Sequence, residues 1–268
     1  MYVITADQIG SRHDRDRAGE MIAQLTAGFG AGYVLPADQT SGDEIQVMMT
    51  DAATALGTIL ALHRSGHWTI GLGIGQVRTP YPQATRQAAG GAFIAARDAV
   101  TRAKKSDARF ALDVAPATLV EASASPTPAE YGDRAAGDDD YTGHNNATEA
   151  YRDDEYAPAA HGRDPHASRE HPIDGSNRPV EFDAAEVEAL LSLLLLLRHR
   201  RSREGWEATD LLEQGLPQVE IAGILGISTA AVSQRVKSAL WRADEAARPA
   251  LVRLLRNLNR ATSETDPA

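Results

Sequence analysis

The chain has 268 residues with 27 basic and 37 acidic side chains, which gives a formal net charge of −10. It contains no cysteine, and this excludes a disulfide scaffold, a thiolate zinc site, an iron–sulfur cluster and a cysteine nucleophile. The longest apolar run, 190–197, is too short to span a bilayer, and Met1 leads into apolar residues without a basic region. We therefore expect a cytoplasmic protein with no signal peptide and no membrane partner.

The charge is distributed unevenly along the chain. Residues 1–120 are neutral overall, residues 121–180 have a net charge of −8, and residues 198–260 have a net charge of +4. The middle segment has almost no Leu, Ile, Val or Phe, so it cannot bury enough apolar surface to offset its ordering entropy. We predict a domain at 1–120, a disordered acidic linker at 121–180 and a second domain at 181–268. Because the negative charge is segregated in the linker, it does not exclude a nucleic-acid partner.

Apolar periodicity in the first 120 residues predicts strands alternating with amphipathic helices. In chain order, we expect a strand at 2–6, a helix at 14–28, strands at 34–36 and 45–49, a helix at 51–65, a strand at 68–77, a helix at 90–105 and a strand at 109–114. The order β-α-β-β-α-β, followed by an extra helix and strand, predicts an α+β ferredoxin-like, or palm-like, domain. Glycines at alternate positions 71, 73 and 75 indicate that another element packs closely on one face of the sheet.

Acidic residues stand at two strand ends of this domain. Asp7 ends the first strand, and Asp43 and Glu44 open the third strand after a glycine. In the predicted topology these strands are neighbours, so Asp7 and Asp43 would come together in a pair suited to Mg²⁺, with Mn²⁺ as the alternative ion. Two such ions would support an in-line phosphoryl displacement. The alternative is purely structural, with Asp7 starting a turn and Asp43 and Glu44 capping a hairpin.

Three segments, ADQIGS at 6–11, SGDE at 41–44 and IGLGIG at 70–75, resemble the catalytic domain of class III nucleotidyl cyclases and the palm of GGDEF-type diguanylate cyclases. The whole layout more closely resembles the SatD family, through the start ADQIGSR at 6–12, the GGAF segment at 90–93, the AAR run at 95–97 and a C-terminal DNA-binding region. This resemblance covers residues 1–110 and 185–245.

The resemblance implies a set of site residues. Asp7 and Asp43 would be the metal ligands, and the catalytic pair if the domain is active, with the backbone of Gln8 as a third ligand. The residues expected around a bound nucleotide are Gly10, Ser11, Arg12, Gly42, Glu44, Arg86 and Arg97. For Arg12 and Arg86, a solvated surface position is the open alternative.

Several residues depart from the cyclase pattern. Class III cyclases have an asparagine and an arginine on the helix after the glycine-rich strand, whereas the nearest positions here are Ala95 and Ala99. Gln39 stands where those enzymes have the base-selecting residue. Basic residues at 97, 102, 104 and 105 lie nearby in sequence and would have to replace the missing arginine. The resemblance therefore favours nucleotide binding with Mg²⁺ over cyclisation.

The segment 218–237 predicts two helices joined by a tight turn. Gly226 suits the left-handed conformation that ends a helix, and Ser228 suits the cap of the next one. Pro217 suits a helix start, and small Ala222 allows close packing of the second helix. The pattern resembles the winged or sigma-region-4-like helix-turn-helix of bacterial regulators, whose second helix enters the major groove of DNA.

The second helix of this pair has small and polar residues on its predicted outer face. We expect base contacts from Thr229, Ala230, Ser233 and Gln234, and phosphate contacts from Arg235, Lys237 and Arg242. The alternative is an ordinary helical hairpin in a bundle, which would not require this combination of cap, glycine and polar face.

A leucine-rich helix at 186–197 precedes the motif and is followed by the basic run RHRRSR at 198–203. Leucine around the whole helix indicates burial, either in a core or in a homodimer. The basic run would contact DNA phosphates or complement the C-terminus of the helix. Another amphipathic helix is predicted at 247–258, which would offer a second dimer surface.

Three hypotheses follow for the whole chain. In the first, the protein is a cytoplasmic DNA-binding transcription regulator whose N-terminal domain senses a nucleotide with Mg²⁺. In the second, it is a Mg²⁺-dependent nucleotidyl cyclase or nucleotidyltransferase tethered to DNA by its helix-turn-helix. In the third, the carboxylates are relics and the N-terminal domain only dimerises.

Overall fold

The structure is a computed structural model that describes residues 1–40, 42–116 and 183–264. The predicted linker at 121–180 therefore lies outside the described residues, as does Ser41. The N-terminal strands are β1 (Tyr2–Gln8), β2 (Tyr33–Gln39), β3 (Glu44–Met49), β4 (Trp68–Ile74) and β5 (Phe110–Val114), and the helices are α1 (Ala18–Phe29), α2 (Ala52–Ser65) and α3 (Gly91–Ala103). Every predicted strand and helix of this region is present, with bounds shifted by a few residues.

The five strands form one mixed sheet in the order β2-β3-β1-β4-β5. Strand β1 is antiparallel to both of its neighbours, β3 and β4. Strand β2 is antiparallel to β3 at one edge, and β5 is parallel to β4 at the other. The expectation that the first and third strands are neighbours is thus confirmed.

Side chains of β1 alternate between the two faces of the sheet, as strand geometry requires. Tyr2, Ile4 and Ala6 enter the main core, which α1 and α2 also line. Val3 faces the opposite side and packs with Ala92, Phe93 and Ala96 of α3. The fold is therefore an α+β layer structure in which α3 and the first two helices cover different faces.

Close contact between α3 and β4 explains the alternating glycines. A Cβ atom at Gly71 would lie 2.3 Å from the Ala96 carbonyl oxygen, and one at Gly73 would lie 2.1 Å from the Ala92 carbonyl oxygen. The helix backbone thus lies directly on the strand, as the glycine pattern predicts. Any side chain at these positions would push α3 off the sheet.

The C-terminal part of the described chain is entirely helical. It comprises α4 (Ala184–His199), α5 (Arg203–Glu213), α6 (Gln218–Leu225), α7 (Thr229–Ser238) and α8 (Trp241–Glu264). Helix α8 is much longer than the predicted segment 247–258 and continues through Pro249. A capping box at Asp183 and Glu186 starts α4, so the leucine-rich helix begins two residues before the predicted bound.

Helices α4 and α8 share the main core with the sheet. Val187, Leu191 and Leu195 of α4 and Leu255 of α8 are fully buried in it. The hydroxyl of Tyr2 in β1 donates a hydrogen bond of 2.9 Å to the carbonyl oxygen of Leu255. The apolar face of α8 is therefore occupied within the chain and does not provide the dimer surface considered for it above.

Helices α5, α6 and α7 surround a separate small core. Its buried members are Ala208, Ile221, Ala222, Val232 and Val236, with Trp241 of α8 packed against them. Helix α6 ends at Gly226, which has φ +64, and Ser228 accepts a hydrogen bond from the Ala231 amide at the start of α7. Both predictions for this turn are confirmed, and Pro217 directly precedes the first turn of α6.

A buried charge cluster connects the helices. Asp244 of α8 is 2% exposed and accepts hydrogen bonds from Arg198 and Arg201, which lie at the end of α4, and from Arg248. Arg201 also donates to the Ala239 carbonyl oxygen at the end of α7, at 2.7 Å. Two members of the predicted basic run, Arg198 and Arg201, are thus internal, while Arg200 and Arg203 are exposed.

Candidate functional site

The end of β1 and the start of β3 form the centre of the candidate site. Asp7 is the register partner of Glu44. The amide of Gln8 donates a hydrogen bond of 3.3 Å to the carbonyl oxygen of Asp43. The strand ends that carry Asp7 and Asp43 are therefore adjacent, as the predicted topology requires.

Polar side chains continue from these ends along one face of the sheet. Thr5 and Asp7 of β1 alternate onto the face that α3 partly covers, and Gln46 is the register partner of Thr5. The Gln46 amide donates to Glu44 Oε1 at 3.0 Å, and the Thr40 hydroxyl donates to the same oxygen at 2.8 Å. The Thr5 hydroxyl is fully buried and has no hydrogen-bond partner among the described residues.

The two pairs Thr5 with Asp7 and Glu44 with Gln46 were not recognised together from the sequence. The available signal was their spacing, since polar residues two apart on a strand share a face. A fully buried strand normally has apolar residues at such positions. We call Thr5, Asp7, Glu44 and Gln46 the polar strip.

Lys104 provides the cation at this site. It follows α3 directly, and its Nζ lies 2.6 Å from Asp7 Oδ2. The Asp7 side chain is 24% exposed and that of Lys104 is 54% exposed, so water reaches the pair. Asp7 is thus already neutralised by a residue of its own chain.

The side chain of Gln8 has a structural role. It is 4% exposed, donates to the Arg15 carbonyl oxygen at 2.8 Å and accepts from the Arg17 amide at 3.0 Å. These bonds hold the connection between β1 and α1 against the sheet. The Gln8 side chain is therefore occupied within the chain, and the role of its backbone as a metal ligand stays a prediction.

The other residues predicted to surround a nucleotide do not all lie in the same part of the structure. Gly10, Ser11 and Arg12 form the turn after β1, where Gly10 has φ +70. Gly42, with φ +93, lies in the turn before β3, and its carbonyl oxygen accepts a 2.7 Å hydrogen bond from Gln39. Both turns adjoin the strand ends that carry the two aspartates.

Two predicted arginines lie outside this group. Arg86 is paired with Asp38 of the edge strand β2, with 3.0 Å between Arg86 Nη1 and Asp38 Oδ1. Arg97 is exposed on α3, and the structure shows no ion pair for it among the described residues. Asp38 is the register partner of Gln46, so its ion pair with Arg86 adjoins the polar strip, whereas no contact of Arg97 with the strip is shown among the described residues.

The carboxylates alone do not make a complete metal cage. Among the described residues, no group of three or more His, Asp or Glu side chains is arranged to hold a metal ion. Mg²⁺ typically keeps several water ligands and needs only one or two carboxylates when a bound phosphate supplies further oxygens. An ion of that kind, held jointly with a ligand, would need no protein carboxylates beyond Asp7 and Asp43.

Two positions of α3, Ala95 and Ala99, correspond to the asparagine and arginine of the class III cyclase pattern that the sequence resembles. Both alanines are buried. Arg102 is engaged with Glu188 and Asp113 at 2.8 and 2.9 Å. The hydrogen bonds that Arg102 donates to Glu188 and Asp113 raise the pKa of Arg102.

The outer surface of α7 is the second candidate site. Its residues Thr229, Ala230, Ser233, Gln234 and Lys237 are all exposed, as predicted. Arg235 turns toward α5, where its Nη1 lies 3.7 Å from Glu207. Arg242 is exposed in the first turn of α8.

A cleft of about 270 Å³ adjoins this surface. It separates the start of α5 from the C-terminal half of α7 and is lined by Arg200, Ser202, Gly205, Gln234, Arg235, Ser238 and Ala239. Two guanidinium groups, two hydroxyls and an amide thus border a space large enough for a phosphate group. These are the groups that proteins commonly use to hold nucleic-acid backbones.

Comparison of the chain with protein-family models, with curated proteins and with solved structures found no match in any of the three searches. Among the described residues, no helix is both long and apolar enough to cross a membrane.

Proposed function

We propose that the protein is a cytoplasmic DNA-binding transcription regulator whose N-terminal part binds a nucleotide together with Mg²⁺. The observation that carries the proposal is the exposed, polar surface of α7, which the buried residues Val232 and Val236 fix on the core of α5 and α6. A recognition helix needs an outer face of this kind, with small and polar side chains, to enter the major groove.

Gln234 is the residue best suited to read a base. Its amide can form two hydrogen bonds with adenine, and each such pair contributes about 1–3 kcal/mol of discrimination. In the structure it is exposed, and its side-chain amide lies 3.4 Å from the Ser238 hydroxyl. Arg235, Lys237 and Arg242 would bind DNA phosphates. One of these phosphates would enter the cleft beside Arg200.

The test selects DNA sequences from a random pool with the full-length protein and repeats the selection with Gln234→Ala. The proposal expects one enriched motif for the wild type and relaxed preference at one position for the variant. The control is Glu220→Gln, which changes the charge of an exposed residue of α6. This variant should select the same motif as the wild type. Failure of the wild-type protein to enrich any sequence would rule out sequence-specific regulation.

The nucleotide part of the proposal rests on the adjacent strand ends of β1 and β3. The sheet order β2-β3-β1-β4, with these strands antiparallel, agrees with a ferredoxin-like, palm-like domain to which β5 is added. In the palm domains that this sequence resembles, aspartates at the positions of Asp7 and Asp43 bind metal ions. The metal would neutralise phosphate charge when bound, while the turns at Gly10 and Gly42 lie where a phosphate could approach the backbone.

Thermal unfolding with a panel of nucleotides, with and without Mg²⁺, tests this part. A ligand that binds only the folded protein raises the melting temperature, and the rise grows with the logarithm of the ligand concentration above its Kd. We expect a Mg²⁺-dependent shift that Asp7→Asn and Asp43→Asn remove. A panel without any shift would favour the hypothesis that the domain only dimerises.

Nucleotidyl transfer remains the second candidate because the same two aspartates would serve it. The buried Ala95 and Ala99 and the engaged Arg102 count against cyclisation. Incubation with the four NTPs and Mg²⁺ or Mn²⁺, followed by chromatography, distinguishes enzyme from sensor. A new product that forms with the wild type and does not form with Asp7→Asn would show that the protein is an enzyme.

We also propose a homodimer, which would match two DNA half-sites. Leu190 and Leu193 of α4 are 41% and 57% exposed, although Val187, Leu191, Leu194 and Leu195 of the same helix are in the core. Sedimentation of the wild type and of Leu193→Glu provides the test. We expect the variant to shift toward monomer, and a monomeric wild type would exclude the dimer.

A further inference from the structure

The ion pair between Lys104 and Asp7 occupies the carboxylate that a metal ion would need. Its 2.6 Å separation leaves Asp7 Oδ2 in direct contact with an ammonium group. We propose that Lys104 is a displaceable counter-cation: it neutralises Asp7 when no metal is bound, and it moves to the phosphates of the ligand when a divalent cation takes its place. This inference rests on the proposed binding of a metal and a nucleotide.

The position of Lys104 in the fold suits such an exchange. Gly71 and Gly73 bring α3 into backbone contact with β4, so the helix that ends just before Lys104 is firmly held. The lysine side chain itself is 54% exposed and has a flexible four-carbon stem. The backbone anchor is therefore fixed while the ammonium group is free to change partners.

Thr5 gives an independent indication that a ligand belongs at this strip. Its hydroxyl is fully buried, has no hydrogen-bond partner among the described residues and lies on the same face of β1 as Asp7. Burying an unpaired hydroxyl is unfavourable. A hydrated cation or a ligand hydroxyl at the strip would provide the missing partner, which neither Gln46 nor Lys104 does.

Electrostatics favours the exchange in the stated direction. A pair this exposed is weakly held in water, so the lysine is easily displaced. A divalent cation interacts twice as strongly with Asp7 at equal distance, and it repels the ammonium group. The phosphates of a bound nucleotide then offer Lys104 a new anionic partner beside the metal.

The experiment measures Mn²⁺ binding to the full-length protein by electron paramagnetic resonance. Lys104→Met should bind Mn²⁺ alone roughly 3- to 10-fold more tightly than the wild type, because the competing charge is gone. Lys105→Met is the matched control: Lys105 is the next residue, is exposed and forms no ion pair among the described residues. It should bind Mn²⁺ like the wild type.

A second titration uses inorganic tripolyphosphate in the presence of saturating Mn²⁺. Here Lys104→Met should bind more weakly than Lys105→Met, because Lys104 would contact the phosphates. A general effect of removing one positive charge would give the same two signs in Lys105→Met, so opposite signs confined to Lys104→Met are the signature of an exchange.

Each way in which the proposal could fail gives a different experimental result. Equal Mn²⁺ affinities in the two lysine variants would overturn the counter-cation role while leaving the metal site intact. Tighter Mn²⁺ binding without weaker tripolyphosphate binding would overturn the transfer to phosphate. If Asp7→Asn binds Mn²⁺ as well as the wild type does, the proposed metal site itself is wrong.

Discussion

At the scale of single residues, Asp244 has the most demanding environment in the described chain. It is 2% exposed and faces Arg198, Arg201 and Arg248. Burial alone would raise its pKa, but the hydrogen bond from Arg248 and the charge of Arg198 outweigh burial and lower the pKa. Burial also lowers the pKa of Arg198, because the attraction of Asp244 does not fully offset its desolvation.

Asp244→Asn should destabilise the protein by about 3–5 kcal/mol, since it leaves buried guanidinium groups without a carboxylate. Urea unfolding at pH 7 measures the loss, with Glu245→Gln at the next, exposed position as control. The Asp244 contribution is present above the ordinary pKa of about 3.8 and is lost as the pH falls through the lowered value of the folded state. Equal urea midpoints for the two variants would contradict this role.

His63 on α2 predicts a second pH dependence. Burial lowers its pKa to about 4, with the charges of Arg198 and His199 adding to the effect against a hydrogen bond with Leu195. Because the unfolded chain takes up a proton near the ordinary value of 6.5, stability is complete above that pH and declines as the pH falls toward 4.

A fall in pH from 7.5 to 5 should therefore lower the free energy of unfolding by about 1–2 kcal/mol through His63. Denaturant unfolding of the wild type and of His63→Gln at both pH values measures this contribution. The exposed His13 provides the control variant His13→Gln, which should retain the wild-type pH dependence. A dependence that persists unchanged in His63→Gln would refute the assignment.

At the scale of elements, backbone contact decides how α3 lies on the sheet. The contact requires glycine on β4. It also fixes the distance between α3 and the sheet, which places Lys104 at the end of β1. At the edge of the sheet, Glu188 of α4 accepts a 2.7 Å hydrogen bond from the Leu112 amide of β5. Arg102 donates to the Leu112 carbonyl oxygen, so side chains satisfy this edge where a further strand could otherwise pair.

Gly73→Ala should destabilise the protein by at least about 3 kcal/mol, since its methyl group would overlap the α3 backbone and force it away. Gly19→Ala in α1 is the matched control, because nothing lies within 4 Å of its added Cβ. That change should instead stabilise by about 0.5–1 kcal/mol through helix propensity and reduced chain entropy. Thermal unfolding compares the two, and similar midpoints would show that α3 does not lie against β4 as described.

At the scale of the whole molecule, α4 and α8 unite the sheet with the helix pair α6 and α7. Arg64 of α2 lies 2.9 Å from Asp210 of α5, and its guanidinium carbon is 3.7 Å from the Trp206 ring centroid. The division of the chain into domains at 1–120 and 181–268 stays a prediction. It did not include the core that the sheet shares with α4 and α8. A signal at Asp7 would reach α7 through packed elements, provided that the ligand distinguishes two states of the protein.

The shared core predicts one cooperative unfolding transition. Trp68 of β4 and Trp241 of α8 report on the two parts, and each becomes the only tryptophan when Trp206 and the other one are both replaced by Phe. Fluorescence midpoints in denaturant should coincide for the two single-tryptophan proteins, as two-state unfolding requires. Two separated transitions would mean that the sheet and the helices are independent folding units.

The acidic segment 121–180 predicts an effect on DNA binding through charge alone. Its net charge of −8 opposes the net +4 of residues 198–260, so it would compete with DNA for the basic surface. Deletion of 125–178 should tighten DNA binding, most strongly at low salt, where screening is weakest. An unchanged affinity over a salt series would exclude this competition.

Local patterns were enough to predict the elements and their order. The turn at Gly226 and Ser228, the glycines of β4 and the neighbouring ends of β1 and β3 follow from residue type and spacing, and the structure confirms each. The inner and outer positions of α7 were also predictable, because helical periodicity separates Val232 and Val236 from the polar face.

Contacts between distant segments could not be predicted in this way. Whether Arg201 lies on the surface or inside depends on Asp244, 43 residues away, and whether Lys104 meets Asp7 depends on how far α3 runs across the sheet. Sequence spacing alone determined which residues share a face or a turn, since local geometry fixes that. Only the tertiary structure decided which charges become partners, because burial and pairing depend on the packing of segments that are far apart in the chain.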